Sequence, residues 1–176
     1  MKIALPDLTG ALADYSLQGT PIEPVPLAQA PARVVFSAAH VVADPFTSNH
    51  PLGPAALDWE ATLAFRRYIE SLGLGIAEAM DTALRGMGLD WPGALELITR
   101  TKAEVPDALV FNGCGTDHLT LQDARTLDDV RRAYLEQVEA IQNVGGRLII
   151  MASRALAQVA TSPDDYVSVY RDVLAA

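Results

Sequence analysis

Apolar positions along the chain alternate between short near-continuous runs and longer stretches with an apolar residue every three or four positions. The first run, Arg33-Val34-Val35-Phe36-Ser37-Ala38-Ala39-His40-Val41-Val42, suits a strand buried on both faces, as in a parallel sheet. Helical spacing follows, with Asp58 as N-cap, Ala61, Phe65, Ile69 and Leu72 on one face, and Gly73 as the stop. A second strand is predicted over residues 75–80. A second helix runs from the Asp90 cap and Pro92 through Leu95, Ile98 and Val105, and the third strand covers 108–112. Thr126-Leu127-Asp128-Asp129 opens a third helix that buries Val130, Tyr134, Val138 and Ile141 and stops at Gly145-Gly146. Residues 147–152 form a fourth strand, and Ser162-Pro163-Asp164-Asp165 starts a last helix carrying Tyr166, Val169, Tyr170 and Val173.

Four strand-then-helix units at this spacing give an α/β fold, either an open doubly wound sheet or half of a closed (βα)8 barrel. Gly113-Cys114-Gly115-Thr116-Asp117-His118 has two glycines of a dinucleotide fingerprint, but His118 stands in the place of the third and the segment follows the third strand, so a nucleotide site is poorly supported. Residues 1–32 differ from the rest. Their two short apolar runs and Pro21, Pro24, Pro26 and Pro31 predict an extended arm or hairpin with a linker, leaving 33–176 as the main domain.

The net charge of −9 and pI near 4.6 argue against nucleic-acid or anionic-membrane partners, which require clustered Lys and Arg. A single cysteine, Cys114, allows no internal disulfide, and the chain shows neither a leader nor an apolar run of membrane-spanning length, so a cytoplasmic setting is expected.

The segments FSAAHVVADP, SLGLGIAEAMDTALRGMGLDWPGALELI, CGTDHL and GGRLIIMASRALA resemble a family of dihydrodipicolinate-synthase-like proteins over roughly residues 33–176. The resemblance implies the amino-terminal half of an aldolase-class TIM barrel, the complete family barrel being about twice as long. It also implies carbon–carbon lyase or aldolase activity on a small keto acid or sugar-derived carbonyl compound. Enzymes of the dihydrodipicolinate-synthase and N-acetylneuraminate-lyase type form a Schiff base through a lysine on the sixth strand, because an imine is an electron sink. The chain has only Lys2, in the arm, and Lys102, late in the second helix. Where those enzymes carry a threonine-rich carboxylate-binding turn, this chain has Ala79-Met80-Asp81-Thr82, so only Thr82 offers a comparable hydroxyl. The chain alone is therefore expected to be inactive as an aldolase, and no cofactor is expected.

In a barrel, chemistry gathers at the carboxyl ends of the strands. The candidates there are His40, Glu78, Asp117 and His118 as catalytic groups, and Asp81, Thr82, Asn112, Ser153 and Arg154 as substrate-binding groups. His40 is as well explained by a hydrogen bond to backbone as by acid/base work. Glu78, an acid within an apolar strand, must be paired or shifted in pKa, with Arg33, Arg147 or Arg154 as possible partners. Asp117 also suits a turn for local reasons, and Arg154 suits a substrate carboxylate or phosphate. Cys114 reads as a small buried thiol; Trp59, Trp91, Tyr134, Tyr166 and Tyr170 read as packing residues. Two rivals remain. One is a non-catalytic half-barrel that self-associates or pairs with a second half, and the other is a metal-dependent hydrolase or isomerase using His40, Glu78, Asp117 and His118.

Overall fold

A computed structural model describes residues 2–20, 33–47, 53 and 55–176. The amino-terminal residues form an antiparallel hairpin of β1 (Lys2–Pro6) and β2 (Leu12–Ser16). Its turn is organised by Asp7, whose Oδ1 accepts from the Thr9 and Ala11 amides while Gly10 takes a left-handed φ of 84°. The hairpin expected in this region is present; the proline-bearing linker over residues 21–32 lies outside the described residues.

Four strands make a parallel sheet in sequence order: β3 (Phe36–Ala38), β4 (Gly75–Glu78), β5 (Val110–Cys114) and β6 (Arg147–Ile150). The order never reverses, so the sheet has no switch point of the doubly wound kind. Between and after the strands stand α1 (Trp59–Ser71), α2 (Trp91–Glu104), α3 (Leu127–Asn143), α4 (Arg154–Val159) and α5 (Pro163–Ala175). α1 touches α2, α2 touches α3, and α3 touches α5, so these helices form one continuous layer. Cys114, Leu148 and Ile150 meet Val130, Tyr134 and Ile141 in the core between that layer and the sheet, and Ile76 and Val110 meet Ile69 and Val105. Strand alternation turns Ala77, Phe111, Gly113, Arg147 and Ile149 to the other face. There the ring of Phe36 reaches that of Phe111 edge to face at 5.3 Å. Gly75 lies beneath this contact, and a β-carbon on it would stand 2.7 Å from the Phe36 ring.

The helix starts expected from the sequence are present, and their caps explain them. Asp58 accepts from the Ala61 amide, Asp90 from the Gly93 amide, and Thr126 and Asp129 exchange bonds in a capping box. Ser162 and Asp165 form a second capping box on α5.

Several boundaries differ from the sequence expectation. The first strand has three paired residues rather than the ten of 33–42, because after Ala38 the backbone is held by α1: the His40 carbonyl accepts from Arg66 and the Val42 amide donates to Thr62 Oγ1. The third strand lies two residues later than expected, since Val105–Ala108 closes a turn while Gly113 and Cys114 pair with Ile149 and Ile150. The buried stripe of α1 is Thr62, Arg66 and Ile69 rather than Ala61, Phe65, Ile69 and Leu72, because Arg66 serves an acid inside the sheet. A 3-10 turn over Asp81–Ala83 and the short α4, capped by Ser153, are additional elements.

Candidate functional site

Strand β4 ends in backbone that few side chains adopt, with Ala79 at φ 51°. The following loop brings Arg85 back under the strand ends, where it is 3% exposed. All five of its donors are occupied. Nη1 reaches the carbonyls of Ala79 and Gly113, both at 3.0 Å; Nε and Nη2 clasp the two Asp117 oxygens; and Nη2 also reaches Gln137 Oε1 at 3.0 Å. Arg85 thereby joins the carboxyl ends of β4 and β5 to α3. Burial alone would push the Asp117 carboxyl up, but the hydrogen bonds and charge of Arg85, helped by Gln137, hold it below the usual carboxylate range.

Two clefts flank this cluster. One, of about 260 Å³, is lined by Asp81, Thr116, Asp117, Ser153 and Arg154 at the ends of β5 and β6. The Thr116 and Ser153 hydroxyls lie 2.6 Å apart, and Ser153 Oγ accepts from the Leu156 amide at 2.9 Å. Arg154 lies across the cleft mouth against Gly86, where a β-carbon would meet its Nη2 at 3.1 Å. Its guanidinium has no ion-pair or hydrogen-bond partner among the described residues, and neither does the Asp81 carboxylate. The second cleft, of about 660 Å³, is bounded by Met87, Trp91, Pro92, Asp117 and His118.

Of the residues expected from the sequence, Asp117, His118, Asp81, Ser153 and Arg154 therefore gather around these clefts. The other four do not. Glu78 is wholly enclosed between the sheet and the helices, its carboxylate bound by Arg66 Nε and Nη2 at 2.8 Å each, Thr101 Oγ1 at 2.6 Å and the Ala79 amide at 2.8 Å. It is an enclosed ion pair with Arg66, away from both clefts, and not a partner of Arg33, Arg147 or Arg154. His40 stands exposed against Phe65, ring centroids 4.5 Å apart, away from the clefts. Thr82 Oγ1 points to the Ala39 carbonyl at 3.5 Å, which ties the 3-10 turn to the end of the first sheet strand. Asn112 faces the helix layer and donates to the Arg147 carbonyl at 2.9 Å, so it is not at the strand ends.

No three His, Cys, Asp or Glu side chains among the described residues converge as metal ligands, so the set His40, Glu78, Asp117 and His118 does not form a metal centre. Cys114 is buried, and burial pushes its thiol up to about 12. Trp91 is more than packing: it lines the larger cleft with the Arg85 guanidinium 5.2 Å from its ring centroid.

Arg85, Gln137, Arg66 and Thr101 carry the networks and were not singled out by the sequence reading. Gln137 was detectable in principle, as a polar residue on the apolar stripe of α3, where only a satisfied partner makes burial tolerable.

No curated protein matches the chain. A model of the family described as "Protein of unknown function (DUF993)" matches residues 3–176, and the chain belongs to that family.

Proposed function

We propose that residues 33–176 form the first half of a (βα)8 barrel of the aldolase class, and that the cleft at the ends of β5 and β6 binds the anionic end of a small oxygenated carbonyl compound. A keto acid or a sugar-derived acid has that chemistry, as in lyases of the dihydrodipicolinate-synthase and N-acetylneuraminate-lyase type. The unreversed order of four parallel strands under one helix layer supports the barrel half. The observation that carries the binding site is the contrast between two arginines. Arg85 is neutralised by Asp117, whereas the Arg154 guanidinium stands at the cleft without a partner, beside the Thr116 and Ser153 hydroxyls. A forked guanidinium next to hydroxyl groups is suited to a carboxylate, and Asp81 in the same cleft is suited to accept from a ligand hydroxyl.

The lysine for imine formation is not at this cleft. Lys2 lies on the hairpin strand β1, and Lys102 lies in the last turn of α2 against Gly145, near the amino end of β6. The chain by itself therefore binds without turning over, which fits its role as one half of a site. In a reducing, cytoplasmic setting it acts together with a second half-barrel or a second copy of itself.

Titration with pyruvate followed by amide and guanidinium NMR tests the reading. The expected result is saturable shifts at Arg154, Thr116 and Ser153 that Arg154→Ala abolishes, with no borohydride-trapped adduct. Shifts that survive Arg154→Ala, or a trapped adduct on Lys2 or Lys102, overturn it.

A second reading, a non-catalytic half-barrel that only assembles, is favoured by the sheet face away from the helices. That face carries Phe36, Phe111 and Ile149 partly exposed, with Arg147 over the Phe111 ring at 5.8 Å.

A further inference from the structure

Gln137 lies on the buried face of α3 with no exposed surface, and its carboxamide is fully engaged. Its oxygen faces the Gly115 amide at 2.8 Å and Arg85 Nη2 at 3.0 Å; its nitrogen faces Asp117 Oδ1 at 3.0 Å and His118 Nδ1 at 2.9 Å. A backbone amide and a guanidinium only donate, so the end that meets them is the oxygen and the opposite end is the amino group. An amino group has no lone pair to offer. His118 Nδ1, which faces it, must accept and therefore carries no proton. The ring proton resides on Nε2, which donates to Glu136 Oε2 at 3.0 Å.

We infer that Gln137 is a positioning residue that commits His118 to the Nε2–H tautomer, so that the imidazole offers the cleft beside Trp91 a hydrogen-bond donor and selects a ligand that brings an acceptor oxygen, such as a carbonyl or carboxylate. The Nδ1 lone pair is spent inside the protein, so His118 acts on a ligand as a donor and not as a base. Among the described residues its Nε2–H is held by Glu136 alone, whose side chain is 57% exposed and whose bond is weak enough for a ligand oxygen to replace. The tautomer assignment stands on geometry alone; the ligand assignment rests on the reading of the strand ends as a binding region.

Long-range proton–nitrogen spectra of the full ¹⁵N-labelled chain, recorded in mildly alkaline solution where histidine rings carry a single proton, test the inference. The expected His118 pattern is a bare Nδ1 and a protonated Nε2. Glu136→Gln leaves that pattern unchanged. Gln137→Glu keeps acceptors for Gly115 and Arg85 but turns an oxygen toward Nδ1, and so moves the proton to Nδ1. A protonated Nδ1 in the unsubstituted chain, loss of the pattern in Glu136→Gln, or an unchanged pattern in folded Gln137→Glu overturns the positioning role. Where Gln137→Glu does not fold, the unsubstituted chain and Glu136→Gln decide between them. Pyruvate, a carboxylate and carbonyl acceptor, is expected to shift the His118 Nε2–H signal. No shift there overturns the ligand selection, and a response at Arg154 alone then leaves the anion reading standing.

Discussion

Arg66 and Glu78 meet as a fully enclosed ion pair, each with no exposed side chain, with the guanidinium Nε and Nη2 both 2.8 Å from a carboxylate oxygen. The pair ties α1 to β4, and Thr101 ties the same carboxylate to α2. Glu78→Gln leaves the Arg66 charge buried without its counterion, so a loss of about 3–5 kcal/mol of stability is expected. Urea unfolding measures it. A change under about 1 kcal/mol with altered ligand binding would return Glu78 to the site.

Asp117 predicts a pH dependence. Its folded-state pKa is depressed by Arg85, so its contribution to stability is present above the ordinary aspartate value and is lost as pH falls through the depressed one. Asp117→Asn should be less stable than the unsubstituted chain by about 3 kcal/mol at neutral pH. The difference should shrink once the pH drops below about 4. Thermal melts of both proteins across that range give the comparison, and a gap that stays constant into acid would contradict the Arg85 assignment.

Cys114 should resist thiol reagents in the native protein. Burial raises its pKa to about 12, and its sulfhydryl lies 3.6 Å from the Tyr134 carbonyl. Because the folded value lies above the unfolded one, the thiol favours the folded state fully below the unfolded pKa, and that contribution is lost as pH climbs toward 12. Labelling with a disulfide reagent should be stoichiometric only after denaturation, and rapid native labelling would show the buried placement to be wrong.

These networks also show where the sequence was readable. Asp58, Asp90, Thr126 and Ser162 announce their helices because capping is a local interaction, written within four residues. The succession of strand–helix units is legible from their even spacing, again a short-range signal, whereas the unreversed strand order is not, since the same spacing also fits an open doubly wound sheet. Glu78 was recognised as needing a partner, but the partner, Arg66, is set by how α1 packs on the sheet, which neighbouring residues do not encode. Gln137 stands out as a polar residue on an apolar stripe, but its four partners do not, since they come from the loop before α2 and the turn after β5. Asp117, His118, Ser153 and Arg154 were legible because a polar residue directly after a parallel strand has one place to go.

The last prediction concerns the sheet face opposite the helices. Phe36 and Phe111 pack edge to face there, and Phe36, Phe111 and Ile149 remain partly exposed. β3 and β6 are the two edges of the described parallel sheet. An apolar face between unpaired edges recruits a covering surface. Sedimentation of the purified chain should therefore show concentration-dependent self-association. Ile149→Asp places a charge on that face without touching the cores under the helices, so it should shift the distribution to monomer with a change in stability of less than about 1 kcal/mol. Arg154→Ala serves as the control, because it acts at the cleft, and should leave association intact. A chain that remains monomeric at high concentration would remove the association prediction, and with it the reading in which two copies complete the barrel.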